Sequence, residues 1–445
     1  MADADLAKLR KDAEALRDRR LLGIRDSEIE SVVLESGSRK LELKEKDSQW
    51  SFSAYREGKV VASGEADAGA VDKWLKALRA MEAIRFLPAE GAAAKDKKIK
   101  EPSIVLSVGR SGKAGVFLTR IEHGDERELF ARRGEEPSLS VFPASAAGLL
   151  EPSSARFRPL GLPEEEKDRL SAIEIRRGEE VETLAKDKDG GWAIEKPLRV
   201  PADPVLSGEL AGNLAAPKAS RFVEDFALPA HGLEEPAMVV TARYAAAPAR
   251  AAVTSDTGAK GKAPAAEHTR VLKIGEKTEG GRFAQLDASS AVFVLSDSLL
   301  QAIAEPLVNR ALCSTAVEQL ESLKIATQEK TAEIARRGDG FTITGGGEAP
   351  SERASKLAER FAGLRAMGAE YGDLDPKQGL QPPAARIAVV RVKGAPEPQT
   401  YELLVGGEVP GASPEPMRYL RRADLAVTFT VPASVVNDLL AATKQ

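Results

Sequence analysis

Apolar and charged positions alternate along three stretches of this chain, and each alternation runs up to an aromatic side chain. In IESVVLESGSRKLELKEKDSQWSF, Val33, Leu41 and Leu43 alternate with charged or polar neighbours as far as Trp50 and Phe52. The string LSAIEIRRGEEVETLAKDKDGGWAIEKPL repeats the pattern up to Trp192, with Gly178 and the run Asp189, Gly190, Gly191 at its turns. LESLKIATQEKTAEIARRGDGFTI repeats it more faintly up to Phe341, turning at Gly338 and Gly340. A period of two belongs to a strand with one wet face, so each stretch predicts a hairpin. The aromatic after each tight turn is placed to cover a sheet face, where burying its ring contributes on the order of 2 to 3 kcal/mol.

Helical spacing follows each hairpin. Asp67 is placed to cap a helix whose apolar stripe is Val71, Trp74, Leu75, Leu78 and Met81. Asp203 caps the second, with Pro204 at its first position, Leu206, Leu210 and Leu214 along it, and Pro217 beyond its end. Ser351 precedes the third, which carries Leu357, Phe361, Leu364 and Met367 and is expected to end at Gly368. Phe86, Phe222 and Tyr371 then follow. Further strands are read in IVLSVGR, MVVTARY and RIAVVRV and in VLKIG and YELLVGG, and the units close on VFPASAAGLL, VLSDSLLQAI and TVPASVVNDLL. Ser145, Ser298 and Ser434 stand where the closing helix would begin, and capping explains a serine there better than nucleophilic catalysis, because none has a histidine nearby in sequence.

Trp50, Trp192 and Phe341 lie 142 and 149 residues apart. That is domain size, well beyond the roughly 20 to 50 residues of a solenoid repeat. The predicted architecture is α+β: three tandem divergent repeats, each a mostly antiparallel β-sheet packed by one main α-helix plus a short C-terminal helix. The repeats span 23–158, 159–309 and 310–445, since PLGLPEEEKDRLSAIEI resembles LLGIRDSEIESVVL and the third pattern restarts near Arg310. Residues 1–22 precede them as an amphipathic helix or stalk, with Leu6, Leu9, Ala13 and Leu16 at helical spacing. At about 100 to 200 residues per domain, 445 residues suit three.

Composition narrows the function classes. The 64 basic and 68 acidic residues leave a net charge of −4, which gives no global attraction to nucleic acid, and none is expected as a partner. Cys313 is the only cysteine, so an intrachain disulfide is impossible and the redox compartment stays open. No run approaches the roughly 20 apolar residues that span a bilayer. With five tyrosines and three tryptophans, all the tryptophans assigned to cores, aromatic platforms for bases or sugars are scarce.

Candidate chemistry is thin. His123, His231 and His268 lack the i, i+4 partner of a zinc helix, and GAKGK lacks the spacing of a phosphate loop. Asp187 and Asp189 resemble a fragment of a calcium loop, but without the distal glutamate a hairpin turn explains them. Glu164 to Glu166 and the pair Glu234, Glu235 are adjacent in sequence and so point in different directions. No catalytic, cofactor-binding or metal-binding residue is therefore assigned, and no cofactor is expected. The basic run Lys95 to Lys100 is the one loop with charge suited to an acidic polymer.

The segment IEIRRGEEV through GGWAIEKPLRVPADPVLSGELAGNL to RFVEDFALPAHGLEEPAMVVTARY, then VLKIGEKTEGGRFAQLDASSAVFVLSDSLLQAI, resembles a bacterial domain family of unknown function found beside gliding-motility-type ABC transporter components. The matching features are the Gly-Trp after the hairpin, the Pro-Ala-Asp entry to the helix, the Arg-Phe-Val exit, the Gly-Leu-x-x-Pro approach to the next strand and Val-Phe-x-Leu near the end. The first repeat keeps Trp50, the helix and Arg85-Phe86, whereas the third has Phe341 for the tryptophan. The resemblance implies an extracytoplasmic envelope protein tethered to the inner membrane by an N-terminal anchor not present in this chain. It also implies membrane-protein partners in an ABC-type complex. The expected function is a non-enzymatic scaffold or accessory subunit acting through protein contacts, and the alternative is a periplasmic binding module for a cell-envelope polymer.

Overall fold

The alternating stretches form strands in the computed structural model, which describes residues 17–23, 28–87, 104–110, 116–123, 128–134, 136, 138–246, 266–311, 316–343, 351–392, 399–411 and 415–444. The first sheet contains β1 (Ile29–Ser36), β2 (Arg39–Lys46), β3 (Gln49–Arg56), β4 (Lys59–Glu65), β5 (Arg85–Leu87), β6 (Ile104–Arg110), β7 (Val116–His123), β8 (Glu128–Arg133) and β9 (Leu139–Pro143). Their order across the sheet is β4-β3-β2-β1-β6-β7-β8-β9-β5. The second contains β10 (Leu170–Arg177), β11 (Glu180–Lys186), β12 (Trp192–Lys196), β13 (Val200–Pro201), β14 (Ala219–Glu224), β15 (Met238–Tyr244), β16 (His268–Thr278), β17 (Gly281–Leu286) and β18 (Val292–Leu295). They run β13-β12-β11-β10-β15-β16-β17-β18-β14.

The third sheet has eight strands: β19 (Leu320–Thr327), β20 (Thr331–Arg337), β21 (Gly340–Ile343), β22 (Gly368–Tyr371), β23 (Ala385–Arg391), β24 (Thr400–Glu408), β25 (Met417–Arg422) and β26 (Val427–Pro432). Their order is β21-β20-β19-β23-β24-β25-β26-β22. Five α-helices accompany the strands among the described residues: α1 (Ala68–Ala80), α2 (Pro204–Ala215), α3 (Asp297–Ala304), α4 (Glu352–Ala362) and α5 (Ala433–Ala441).

This architecture is mostly β and overturns the expected α+β class of three repeats with one main helix each. Among the described residues strands number 26 and the longest helix has 13 residues, so burial there is carried mainly by sheets. The helix count is also uneven. Between β9 and β10 the expected closing helix is a 3-10 segment, Ala144–Leu150, whereas α3 and α5 are regular helices. The physical reason is that period-two alternation continues through the segments after α1, α2 and α4, and that pattern buries one face of a strand rather than a helical stripe.

Period two sets the register. Leu34 of β1 pairs with Leu41 of β2, and Leu43 pairs with Phe52 of β3, so the buried side chains line one face. Gly178 and Gly338 take φ near +60 in the β10–β11 and β20–β21 turns, a region that favours glycine. Each signature aromatic faces a long side chain on the preceding strand: Trp50 opposite Glu45, Trp192 opposite Lys186, and Phe341 opposite Arg336. The Lys186 ammonium lies 5.7 Å from the Trp192 ring and the Arg336 guanidinium 4.6 Å from Phe341.

Helix starts follow local chemistry. Asp67 accepts from Ala70 N at 2.8 Å and Ser351 from Ala354 N at 3.1 Å. Trp74 of α1 donates from Nε1 to Leu149 O at 2.8 Å and meets Phe157 edge-on at 5.1 Å. Expected ends and caps differ at three places. Helix α4 stops with Gly363 as its C-cap, so Gly368 opens β22 instead and Met367 is 64% exposed. Pro143 and Pro432 hold the N-cap positions expected of Ser145 and Ser434, with no side-chain cap. Ser434 Oγ donates to Glu415 at 3.2 Å. Leu6 to Leu16 lie outside the described residues, while Arg17 to Gly23 are non-helical, with an isolated bridge between Arg20 and Glu82.

The chain forms two compact units. One comprises Met1–Glu164, Ala216–Ala237 and Val271–Asp297, and the other Glu165–Ala215, Met238–Arg270 and Ser298–Gln445. Among the described residues no helix is long and apolar enough to cross a membrane.

Candidate functional site

Side chains with chemical potential in the sequence take structural places. His231 closes a 3-10 turn; its Nδ1 accepts from Leu228 N at 3.0 Å, its ring lies 4.6 Å from Phe283, and burial lowers its pKa. His268 stacks on Tyr244 at 5.1 Å, with Nε2 2.9 Å from Glu165. Beside it, Arg169 donates to Ala245 O and Ala266 O. Asp187 closes its hairpin turn by accepting from Asp189 N and Gly191 N. His123 belongs to β7. Cys313 and Lys95 to Lys100 lie outside the described residues. Among the described residues no group of three or more His, Cys, Asp or Glu could hold a metal ion.

The most concentrated polar chemistry is buried, and the sequence pointed to only part of it. Glu182 of β11 is 1% exposed. Its Oε1 accepts from Leu307 N at 2.8 Å and from the Tyr371 hydroxyl at 2.7 Å, and its Oε2 accepts from Arg177 at 2.9 Å. Arg177 in turn donates to the carbonyls of Ile303 and Glu305. Burial first, then the adjacent Glu182 charge, push the Tyr371 phenol far above its ordinary range, so it stays a donor.

Asp203 is fully buried and has two tasks. Oδ1 caps α2 through Val205 N and Leu206 N at 3.0 and 3.3 Å. Oδ2 accepts from Arg365 at 2.7 Å and from Arg310 N at 3.3 Å. In the other unit, buried Asp225 accepts from Ser154 N at 2.9 Å, from Arg158 at 3.0 Å and from Ser154 Oγ. The Arg158 guanidinium lies over Phe52 and Phe222. Nearby, Arg39 reaches Glu151 at 3.4 Å and Glu224 at 3.3 Å, and Arg56 sits 4.2 Å from the Phe226 ring. Burial raises the Glu224 pKa despite Arg39.

These arrangements hold segments together. Each of the three buried carboxylates accepts at least three hydrogen bonds, from backbone amides and from arginine, tyrosine or serine side chains. With its oxygens taken up by these donors, each group is held in place as a structural acceptor. Only the cap at Asp203 was legible in sequence. The partners of Glu182 and Asp225 come from segments with no shared motif.

The family model described as "Domain of unknown function (DUF4340)" matches residues 59–236 and 192–383, which together cover most of the chain. The chain belongs to this family. No match is found among curated proteins. Among solved structures, this DUF4340 chain is similar to the DNA polymerase III subunit beta from Pseudomonas aeruginosa at 9% identity, over 90% of this chain and 91% of that chain, with a TM-score of 0.14. The DnaN sliding clamp from Bartonella birtlesii LL-WM9 matches at 9% identity over 91% and 92%, with a TM-score of 0.14. The subunit beta from Borrelia burgdorferi matches at 7% over 97% and 96%, with a TM-score of 0.15. Scores this low carry no argument.

Two open grooves flank α5 of the DUF4340 chain. One, of about 710 Å³, is lined by the β19–β20 turn from Thr327 to Lys330, by Arg418, and by Asn437, Leu440 and Thr443 at the C-terminal end. The other, of about 470 Å³, lies along α4 and contains Arg353, Lys356, Arg360 and Asp438. In it Lys356 pairs with Glu352 and Arg360 with Asp438.

Proposed function

We propose that this DUF4340 chain is a non-enzymatic scaffold or accessory subunit of the bacterial cell envelope, acting on the extracytoplasmic side through protein contacts with an ABC-type transport or gliding-motility complex. The observation that carries the reading is the use of the buried carboxylates. Glu182, Asp203 and Asp225 are committed to tying distant segments together, which favours fixed surfaces over acid–base chemistry. The kind of complex rests on the resemblance read over residues 173–303.

The test is recovery of partners. Affinity-tagged protein, expressed at its natural level and extracted from envelope membranes, is expected to bring down transporter subunits identifiable by mass spectrometry. Recovery of none, together with retention on purified peptidoglycan, contradicts the reading and supports a polymer-binding module.

A further inference from the structure

Two segments of this chain return to the start of a helix already laid down, and both do so in one register. After the 3-10 segment Ala144–Leu150, Phe157 O accepts from Asp67 N at 2.7 Å, and the Phe157 ring packs edge-on against Trp74 of α1. After α3, Leu307 O accepts from Asp203 N, also at 2.7 Å, at the start of α2. Both apolar anchors are fully buried. Each stands four residues before an isolated bridge to a residue just past a helix, Gly161 with Lys218 and Ala311 with Arg365. A third such bridge joins Arg20 to Glu82, just past α1. Four residues before Arg20 the sequence has Leu16, which lies outside the described residues.

Helix α4 carries the receiving half of this joint. Its buried positions Ala354, Leu357, Ala358 and Phe361 repeat the spacing of Val71, Trp74, Leu75 and Leu78, so Leu357 stands where Trp74 meets Phe157. Leu357 lines the open groove of about 470 Å³ between α4 and α5. Ala66 N and Ser351 N make matching bonds, to Trp50 O and Phe341 O. The next N–H along holds the anchor carbonyl in Asp67, whereas that of Glu352 has no acceptor among the described residues. With Lys356 paired to Glu352 and Arg360 to Asp438, Arg353 is the lining cation without an ion-pair partner among the described residues. Asp12 and Glu14 precede Leu16 and supply the complementary charge. We propose that the groove between α4 and α5 receives the Leu16 segment of a second copy of this chain, joining copies head to tail. The joint has two different halves, so it builds open chains of copies unless its rotation closes a ring. The inference does not depend on the scaffold reading.

The test is the assembly state of the purified full chain, followed by sedimentation velocity up to about 1 mM, the weak end of specific association. Concentration-dependent association is expected. Leu16→Asp removes the anchor and Ala441→Trp fills the groove, and each is expected to weaken association about tenfold or more. Mixing the two variants is expected to restore a one-to-one dimer, which uses the groove of the Leu16→Asp chain and the segment of the Ala441→Trp chain. An unchanged unfolding midpoint is the control for Ala441→Trp; if the midpoint falls, Arg353→Glu at an exposed position takes its place in the mixture. Association undiminished in Leu16→Asp, or a mixture that yields no dimer, overturns the proposal. A monomeric parent overturns it too, and a labelled peptide of residues 10–20 that then binds only the Leu16→Asp chain places the chain's own segment in the groove.

Discussion

The Tyr371 hydroxyl donates to Glu182 Oε1 at 2.7 Å, joining β22 to β11 across 189 residues of sequence. The acceptor is almost fully buried and also accepts from Arg177 and Leu307 N, so its loss removes the acceptor of three donors. Tyr371→Phe is expected to cost about 1 to 3 kcal/mol, and Glu182→Ala about 3 to 5 kcal/mol. Urea unfolding of the purified variants reads both, and equal midpoints for Glu182→Ala and the parent would refute the assignment.

Asp203 separates two roles within one side chain. Asp203→Ser retains a capping oxygen for α2 but loses the carboxylate that meets Arg365 and Arg310 N, whereas Asp203→Ala loses both. The serine variant should recover roughly 1 kcal/mol of the alanine variant's loss. Arg365→Ala should cost well under either, about 1 kcal/mol or less, because its side chain is 53% exposed and solvent screens the pair.

Burial lowers the His231 pKa from its ordinary 6.5. The unfolded chain therefore takes up a proton at this site at a higher pH than the folded chain does. Stability is fully present above 6.5 and is lost as pH falls through the lower folded value. His231→Asn is expected to flatten this part of the stability profile between pH 7 and 5, read by thermal unfolding in a pH series. An unchanged slope counts against the buried, neutral ring.

Glu224 has the opposite sign. Burial raises its pKa above the ordinary 4.5, so the folded state holds the proton longer and stability falls as pH rises through the folded value. Glu224→Gln removes that penalty. The variant is expected to be at least as stable as the parent at pH 7, and the two should converge in acid below the ordinary carboxylate range. Clear destabilisation at pH 7 would show that the pair with Arg39 outweighs burial.

Local features were legible in the sequence because their causes are local. The alternation around Leu41, Leu43 and Phe52, the turns at Gly178 and Gly338, and the caps at Asp67, Asp203 and Ser351 depend on residues within a few positions of one another. The class differs from the expected one because helical stripes such as Val71 to Leu78 are conspicuous in sequence, whereas the alternating strands that follow each helix outnumber them. The end of α4 was misplaced because Leu364 and Met367 continue the helical period past Gly363, although the chain has already left the helix there. Pro143 and Pro432 displaced the expected serine caps, since proline's fixed φ suits a helix entrance.

The carboxylate ties had no sequence signal of that kind. Arg310 N and Arg365 lie 107 and 162 residues from Asp203, and only the folded chain brings them together. A buried Glu on a strand such as β11 breaks the apolar alternation, and that break was the one available hint at Glu182.

The central claim is that buried carboxylates fasten distant segments, and the pair Glu182 and Tyr371 tests it most directly. A double-mutant cycle with Glu182→Gln, Tyr371→Phe and the combined variant, measured by urea unfolding, is predicted to give a coupling energy of about 1 kcal/mol or more. Strict additivity, with coupling below about 0.3 kcal/mol, would contradict it.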